Sequence, residues 1–113
     1  MTCYIYVIGT EEGPVKVGIS AYPRGRLATL QTGSPIKLGL LHTRECRDRD
    51  HALWHEETFH RVHAENRLAG EWFDMPADEA MESVDTSFDY EEYHEQQAIW
   101  EYQAAQLNIW QAA

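Results

Sequence analysis

The chain has 113 residues and a net charge of −10, with 43% hydrophobic and 25% charged residues. These values exclude a disordered chain and argue against a protein that coats DNA through its overall charge. The longest apolar run, residues 4–8, is too short to span a bilayer, and no basic residue precedes it as in a secretory signal. Two cysteines are too few for a disulfide framework, so we expect a protein of the reducing cytoplasm. Because no apolar run is long enough to span a bilayer, we also expect no membrane contact.

The first half of the sequence predicts a hairpin, a helix and a strand. Residues 3–8 are β-branched and aromatic and residues 15–19 alternate apolar with polar side chains, with a glycine- and proline-containing turn between them. Ser20 is the expected cap of a helix that has Pro23 in its first turn and ends near residue 32. Residues 36–46 form the third predicted strand, in which Gly39 is a candidate bulge position.

The second half is predicted to be mainly helical. The predicted elements are a helix over residues 48–66 capped by Asp48 or Asp50, a strand over residues 70–73, a helix over residues 76–84 and a helix from about residue 89 onward.

The negative charge is concentrated at the C-terminal end. Residues 1–76 contain nine basic and ten acidic residues, for a net charge of −1, whereas residues 77–113 contain nine acidic residues and no basic one. We therefore divide the chain into a domain over residues 1–76 and an acidic, aromatic helical extension over residues 77–113. A nearly neutral domain can still hold a local basic site.

Side-chain alternation along the hairpin brings polar residues together. If the aliphatic faces form the core, then Tyr4, Tyr6 and Lys16 share the outer face with Gly18. A lysine among phenols suits an anion, and a glycine lets a ligand approach closely. The same pattern fits a solvated hairpin face with aromatic cross-strand pairs, and the residues alone leave both interpretations open.

A set of short motifs appears in order along residues 4–76: Ile5-Tyr6, Lys16-Val17-Gly18, Arg26, Glu57-x-x-His60, Arg67 and Gly70-Glu71-Trp72-Phe73. This set resembles the GIY-YIG nuclease superfamily. It is most similar to a short, often phage-associated branch with a V-K-I-G-type second motif and a G-E-W-F end motif. The resemblance implies an α/β (α+β) fold, in which helices flank a small antiparallel sheet of three or four strands.

The resemblance also implies metal-dependent cleavage of a DNA phosphodiester by an endonuclease. Glu71 would be the ligand of one Mg²⁺ or Mn²⁺ ion, and Arg26 would bind the scissile phosphate through its planar fork. Tyr6 would orient or deprotonate the attacking water. The residue-level alternatives are that Glu71 is a solvated edge residue and Arg26 a surface helix charge.

The sequence departs from the wider superfamily at three positions, one of which is Tyr4 in place of the first glycine of the motif. Lys16 replaces the second tyrosine and can steady a phosphate, and Leu30 replaces a residue that is often His or Tyr. His60 is then the best remaining candidate for a base or a phosphate contact. The predicted substrate-binding residues are Tyr4, Gly18, Arg24 and Arg67. The alternative function is an inactive GIY-YIG-like module that binds a protein or a nucleic acid, for example in phage–host conflict.

The extension combines acidic with aromatic side chains. Tyr93, Trp100 and Leu107 recur at seven-residue spacing, which predicts an amphipathic helix. This helix is expected to pack on the domain or to mediate a homodimer or protein contact through residues 88–110. A sharper alternative is an acidic cover over Arg26 that repels or imitates nucleic acid.

Overall fold

The fold is built on a four-stranded antiparallel sheet with the strand order β3-β1-β2-β4. The structure is a computed structural model that describes residues 2–86, residue 99 and residues 101–103. The strands are β1 (Cys3–Gly9), β2 (Val15–Ser20), β3 (Gly39–Cys46) and β4 (Trp72–Phe73). This arrangement confirms the predicted α+β class and the predicted hairpin.

Three helices cover the two faces of the sheet: α1 (Pro23–Thr32), α2 (Arg49–Val62) and α3 (Ala77–Thr86). The aliphatic side chains of β1 and β2 pack with α2 and α3 in one core, where Ile5, Val17 and Phe73 are fully buried. The helix α1 lies on the opposite face. The helices α2 and α3 bury apolar residues against the sheet, which is the main source of stability in a layered fold of this size, whereas α1 buries only Pro23.

The helix α3 is an integral part of this core. It contributes Ala80 and Val84, which are fully buried. Its C-terminal end is held by β3, because Arg44 Nη1 donates a 2.7 Å hydrogen bond to the Val84 carbonyl. Two further contacts hold the same end: His42 Nε2 lies 2.8 Å from Asp85 Oδ1, and His63 Nε2 lies 2.7 Å from Ser83 Oγ. The predicted domain boundary after residue 76 stays a prediction, but a truncation at that point would remove core residues.

The structure corrects the predicted start of α1. The N-cap is Tyr22, which makes no side-chain capping bond, and Pro23 is in the first turn as expected. Ser20 is the last residue of β2, and its Oγ accepts the Tyr22 N–H at 2.9 Å. Ser20 therefore shapes the turn before the helix instead of capping it.

The third strand also differs from its prediction. It begins at Gly39, which pairs with Gly9, and not at residue 36. The register shifts between Val7 and Ile8, which pair with His42 and Leu40, so Leu41 is the extra residue of the bulge. The predicted bulge at Gly39 was wrong. The helix over residues 48–66 is confirmed with Asp48 as its cap, but α2 ends at Val62 and a short 3-10 helix, Ala64–Asn66, follows it.

The outer face of the hairpin is not solvated, because Tyr6 hydrogen-bonds Arg26 of α1 and Lys16 lies against Glu71 and Trp72. Tyr6 is 1% exposed and Lys16 is 8% exposed. The predicted amphipathic helix and its predicted homodimer or protein contact through residues 88–110 lie largely outside the described residues. Within that range the structure describes only residue 99 and residues 101–103, which are helical. No helix among the described residues is long and apolar enough to cross a bilayer.

Candidate active site

Gly18 forms the floor of a small polar space that we call the Gly18 cradle, bounded by Gly18, Tyr6 and Glu71. Gly18 pairs with Tyr6 across the hairpin. A Cβ atom on Gly18 would lie 2.5 Å from Tyr6 Oη and 2.6 Å from Glu71 Oε2. The phenol and the carboxylate therefore converge over a position that has no side chain, and any larger residue there would displace one of them.

Lys16 brings a positive charge to the Gly18 cradle. Its Nζ lies 3.3 Å from Glu71 Oε2, and the Lys16 side chain is 10% exposed while that of Glu71 is 33% exposed. The Lys16 ammonium also lies 5.7 Å from the centre of the Trp72 ring, a cation–π distance. This ion pair neutralises part of the buried charge of the ammonium and leaves the carboxylate in contact with solvent.

Arg26 reaches the cradle from α1. Its guanidinium hydrogen-bonds the Tyr6 phenol, and this contact raises the pKa of Arg26 further above its ordinary value. The pKa of Tyr6 is also raised, first because burial disfavours the phenolate and further because the Glu71 carboxylate is nearby, although the hydrogen bond from Arg26 opposes this shift. Tyr6 is therefore a neutral phenol, while Arg26 keeps an exposed, permanently charged fork beside it.

The edge of β2 beside the cradle is completed by groups from outside the sheet. Because β4 pairs only with Val15 and Lys16, the outward-pointing groups of Val17 and Ile19 have no strand partner beyond that point. Val17 N–H donates to the Glu71 carbonyl at 3.0 Å, and His60 Nε2 donates to the Val17 carbonyl at 3.0 Å. These two bonds hold Glu71 and His60 at the edge of β2.

Glu56 completes the same edge and was missed by sequence reasoning. It lies one helical turn before His60 on α2 and accepts a backbone hydrogen bond from Ile19. Burial, followed by repulsion from Glu71 and Glu57, raises the pKa of Glu56 from 4.5 to about 7. A second carboxyl group therefore belongs to the site. The available signal was its i, i+4 spacing from His60, which places both on one face of α2.

The other predicted residues lie around this centre. Tyr4 and Arg24 line a separate cleft between β1, β3 and the start of α1. Arg67 precedes β4 and donates from Nε to the Gly70 carbonyl at 2.6 Å, so it shapes the loop that carries Glu71. The imidazole of His60 packs against Phe73, with 4.9 Å between ring centres. The structure thus gathers Tyr6, Lys16, Gly18, Arg26 and Glu71, with His60 at the strand edge behind them.

The comparisons with known proteins give one family. The family model of the T5orf172 domain matches residues 3–87, which is most of the chain and includes every residue of the cradle. No curated protein and no solved structure matches the chain significantly.

Proposed function

The chain belongs to the T5orf172 domain family, a phage-associated family of nuclease-like domains, and from this premise we propose that it is a metal-dependent DNA endonuclease of the GIY-YIG type. The observation that carries the proposal is the Gly18 cradle. A phenol, a carboxylate, a lysine and an arginine meet over a glycine, although they come from four different elements or loops. Phosphodiester hydrolysis needs this combination of cationic, acidic and hydrogen-bonding groups.

Arg26 is the group that binds the scissile phosphate in this proposal. Its guanidinium is exposed and held in place by Tyr6, so the remaining donors can form a bidentate contact with two phosphate oxygens. Lys16 adds a second positive charge on the same face of the sheet. Because both cations are preorganised, they can stabilise the charge that develops on phosphorus-bound oxygens without reorganisation.

The cradle also fits a divalent metal ion. Glu71 offers a partly exposed carboxylate, and because Gly18 has no side chain, this carboxylate and the Tyr6 phenol can come together over the same position. One or two protein carboxylates are enough to hold Mg²⁺ or Mn²⁺, because such an ion keeps several of its water ligands. When bound, the ion would act as a Lewis acid toward the phosphate and its leaving oxygen. Glu71 would hold it, with Glu56 as the second carboxyl group of the site.

Tyr6 fits the role of positioning the attacking water better than the role of taking its proton. A general base needs a pKa close to the working pH, but the pKa of Tyr6 is raised above its ordinary value, chiefly by burial. A neutral phenol that already accepts a hydrogen bond from Arg26 can donate its own proton to a water or a phosphate oxygen. It would therefore align the attack and leave proton transfer to another group.

One observation favours the alternative of an inactive DNA- or protein-binding module. Lys16 Nζ lies 3.3 Å from Glu71 Oε2, so the carboxylate already has a cation of the protein beside it. An ion pair of this kind competes with a metal ion for the same oxygen. In a pure binding module the pair would be structural, and both Lys16 and Glu71 would affect stability without any catalytic effect.

A cleavage assay separates the two functions. The full chain is incubated with single-stranded, duplex and branched DNA in Mg²⁺ or Mn²⁺, beside Glu71→Gln and the matched control Glu65→Gln, which changes an exposed carboxylate outside the site. We expect cleavage by the wild type and by Glu65→Gln, and none by Glu71→Gln, which should remain folded although it loses the ion pair with Lys16. Wild-type cleavage retained in folded Glu71→Gln would refute the metal role, and DNA binding without cleavage would favour the binding module.

A further inference from the structure

A cleft of about 310 Å³ lies next to the Gly18 cradle, and we call it the Tyr22 cleft. It is lined by side chains from β1, β3 and the start of α1, including Tyr4, Tyr22, Pro23 and Arg24. Arg24 is the one charged side chain among the described residues that line it. A concave surface with aromatic walls and a single cation is typical of a site for a flat, anionic ligand.

The ring of Tyr22 is exposed and lies against the first turn of α1. Tyr22 is 70% exposed, and its ring lies against the backbone of α1 at Gly25, where a Cβ atom would be 2.4 Å from Tyr22 Cδ1. A glycine inside a helix costs roughly 1 kcal/mol relative to alanine, so the sequence gives up helix stability at this position. The backbone of Tyr22 is held by Ser20 Oγ at 2.9 Å. The result is an aromatic ring that lies against α1 at Gly25 and exposes most of its surface to solvent.

The Tyr22 cleft lies on the same face of the hairpin as the proposed phosphate contact at Arg26. Tyr4 and Tyr6 project from the same face of β1, two residues apart, which is about 6.8 Å along a strand. Tyr4 lines the Tyr22 cleft, while Tyr6 holds Arg26. On α1, Arg24 belongs to the cleft and Arg26 to the cradle. A nucleotide chain bound at Arg26 and running along β1 toward Tyr4 would therefore place its next nucleotide at this cleft.

We propose that the Tyr22 cleft binds one unpaired nucleotide that flanks the scissile phosphate, with its base stacked on Tyr22 and its phosphate at Arg24. The inference rests on the proposed nuclease function and specifies its substrate as single-stranded or locally unpaired DNA. A paired base inside a duplex has both faces covered by its neighbours, so it could reach an aromatic ring in a cleft only after leaving the stack. Stacking on an aromatic side chain tolerates every base, because each base has a π-face.

The test measures DNA affinity in EDTA, so that binding is followed without cleavage. A short labelled single strand, the matching duplex and an abasic strand of equal length are titrated against the full chain. We expect Tyr22→Ala to weaken binding of the single strand by roughly 5- to 100-fold, as for the loss of one stacked base, and Tyr22→Phe to retain it. The abasic strand keeps the phosphates without the bases, so wild type and Tyr22→Ala should bind it equally.

Two matched controls isolate the cleft. Tyr102 is 68% exposed, nearly as much as Tyr22, and Tyr102→Ala should leave affinity unchanged. Arg24→Gln should reduce the slope of log affinity against log salt by about 0.7, the value for one phosphate contact on a single strand. The control Arg61→Gln, at an exposed position on α2, should leave that slope unchanged.

The outcomes distinguish this inference from the proposed function. If the wild type cleaves DNA in Mg²⁺ but folded Tyr22→Ala binds the single strand as tightly as the wild type, the inference is wrong and the nuclease function stands. An equal loss of affinity for single strand and duplex would also overturn it, because the occupant would then not be an unpaired base. A wild type that neither binds nor cleaves any of the DNAs would overturn both.

Discussion

Replacing Glu56 with glutamine should stabilise the protein at pH 8. Glu56 is half-buried, accepts a hydrogen bond from the Ile19 N–H and lies close enough to Glu71 for their charges to repel. These surroundings favour the protonated carboxyl group and penalise the ionised one. The glutamine side chain carbonyl can still accept from Ile19, but it carries no charge at any pH. The variant therefore removes the penalty and keeps the contact.

The size of the effect follows from the pKa of Glu56, which is about 7 in the folded protein against 4.5 as the ordinary value. A raised pKa means that the contribution of this group to stability is fully present below about pH 4.5 and is lost as the pH rises through about 7. The difference between these two pKa values corresponds to a loss of at most about 3 kcal/mol in the free energy of unfolding. Because Glu56 keeps partial contact with water, we expect roughly 1–2 kcal/mol at pH 8.

Urea unfolding at pH 5.5 and at pH 8, without divalent ions, measures this difference. The gap in free energy of unfolding between Glu56→Gln and the wild type should widen from pH 5.5 to pH 8. Glu65→Gln is the matched control, since it removes the same charge from an exposed position that does not contribute to the raised pKa of Glu56, and it should change stability by less than about 0.5 kcal/mol. Equal effects of the two variants at pH 8, or a gap that does not depend on pH, would refute the reasoning. Either result would show that ionising Glu56 costs no free energy in the folded protein.

Three further perturbations test the site and the extension. Arg26→Lys should reduce the cleavage rate by roughly 10- to 1,000-fold, because the point charge of lysine cannot reproduce the bidentate contact of the guanidinium. A rate within a factor of two of the wild type would contradict the phosphate contact. Gly18→Ala places a methyl group 2.5 Å from the phenol oxygen of Tyr6. Thermal melting should therefore show a loss of about 1–3 kcal/mol in the free energy of unfolding, and the cleavage assay should show no product. Full cleavage activity would refute the assignment of the Gly18 cradle as the active site. A chain ending at Thr86 keeps the packed core and loses the five acidic residues of 87–113. This shortened chain should associate with DNA faster than the full chain at low salt. Stopped-flow mixing should show that the gain in rate shrinks as salt rises, because the Debye length is about 10 Å at 0.1 M salt. An association rate equal to that of the full chain at low and at high salt would exclude electrostatic control by the extension.

The amino-acid sequence by itself determined the local elements of this protein. Alternating side chains predicted the hairpin, and a period of about 3.6 residues together with Asp48 predicted α2, because these features depend on contacts within a few residues. The spacing of Tyr6, Lys16 and Gly18 on one hairpin face was also available from the strand period alone. The role of each in catalysis stays a prediction that the cleavage assay tests.

The tertiary structure alone decided which distant groups meet. Glu56 reaches the Ile19 N–H because β4 is too short to cover the edge of β2, and no local pattern indicates where a partner strand stops. The face with Tyr6 and Lys16 is buried because Arg26 of α1 packs on Tyr6 while Glu71 and Trp72 pack on Lys16. Ser20 shapes a turn instead of capping α1. These arrangements depend on packing between segments far apart in the chain, which sequence periodicity does not encode. The carboxyl pair and the Tyr22 cleft therefore became visible only in three dimensions.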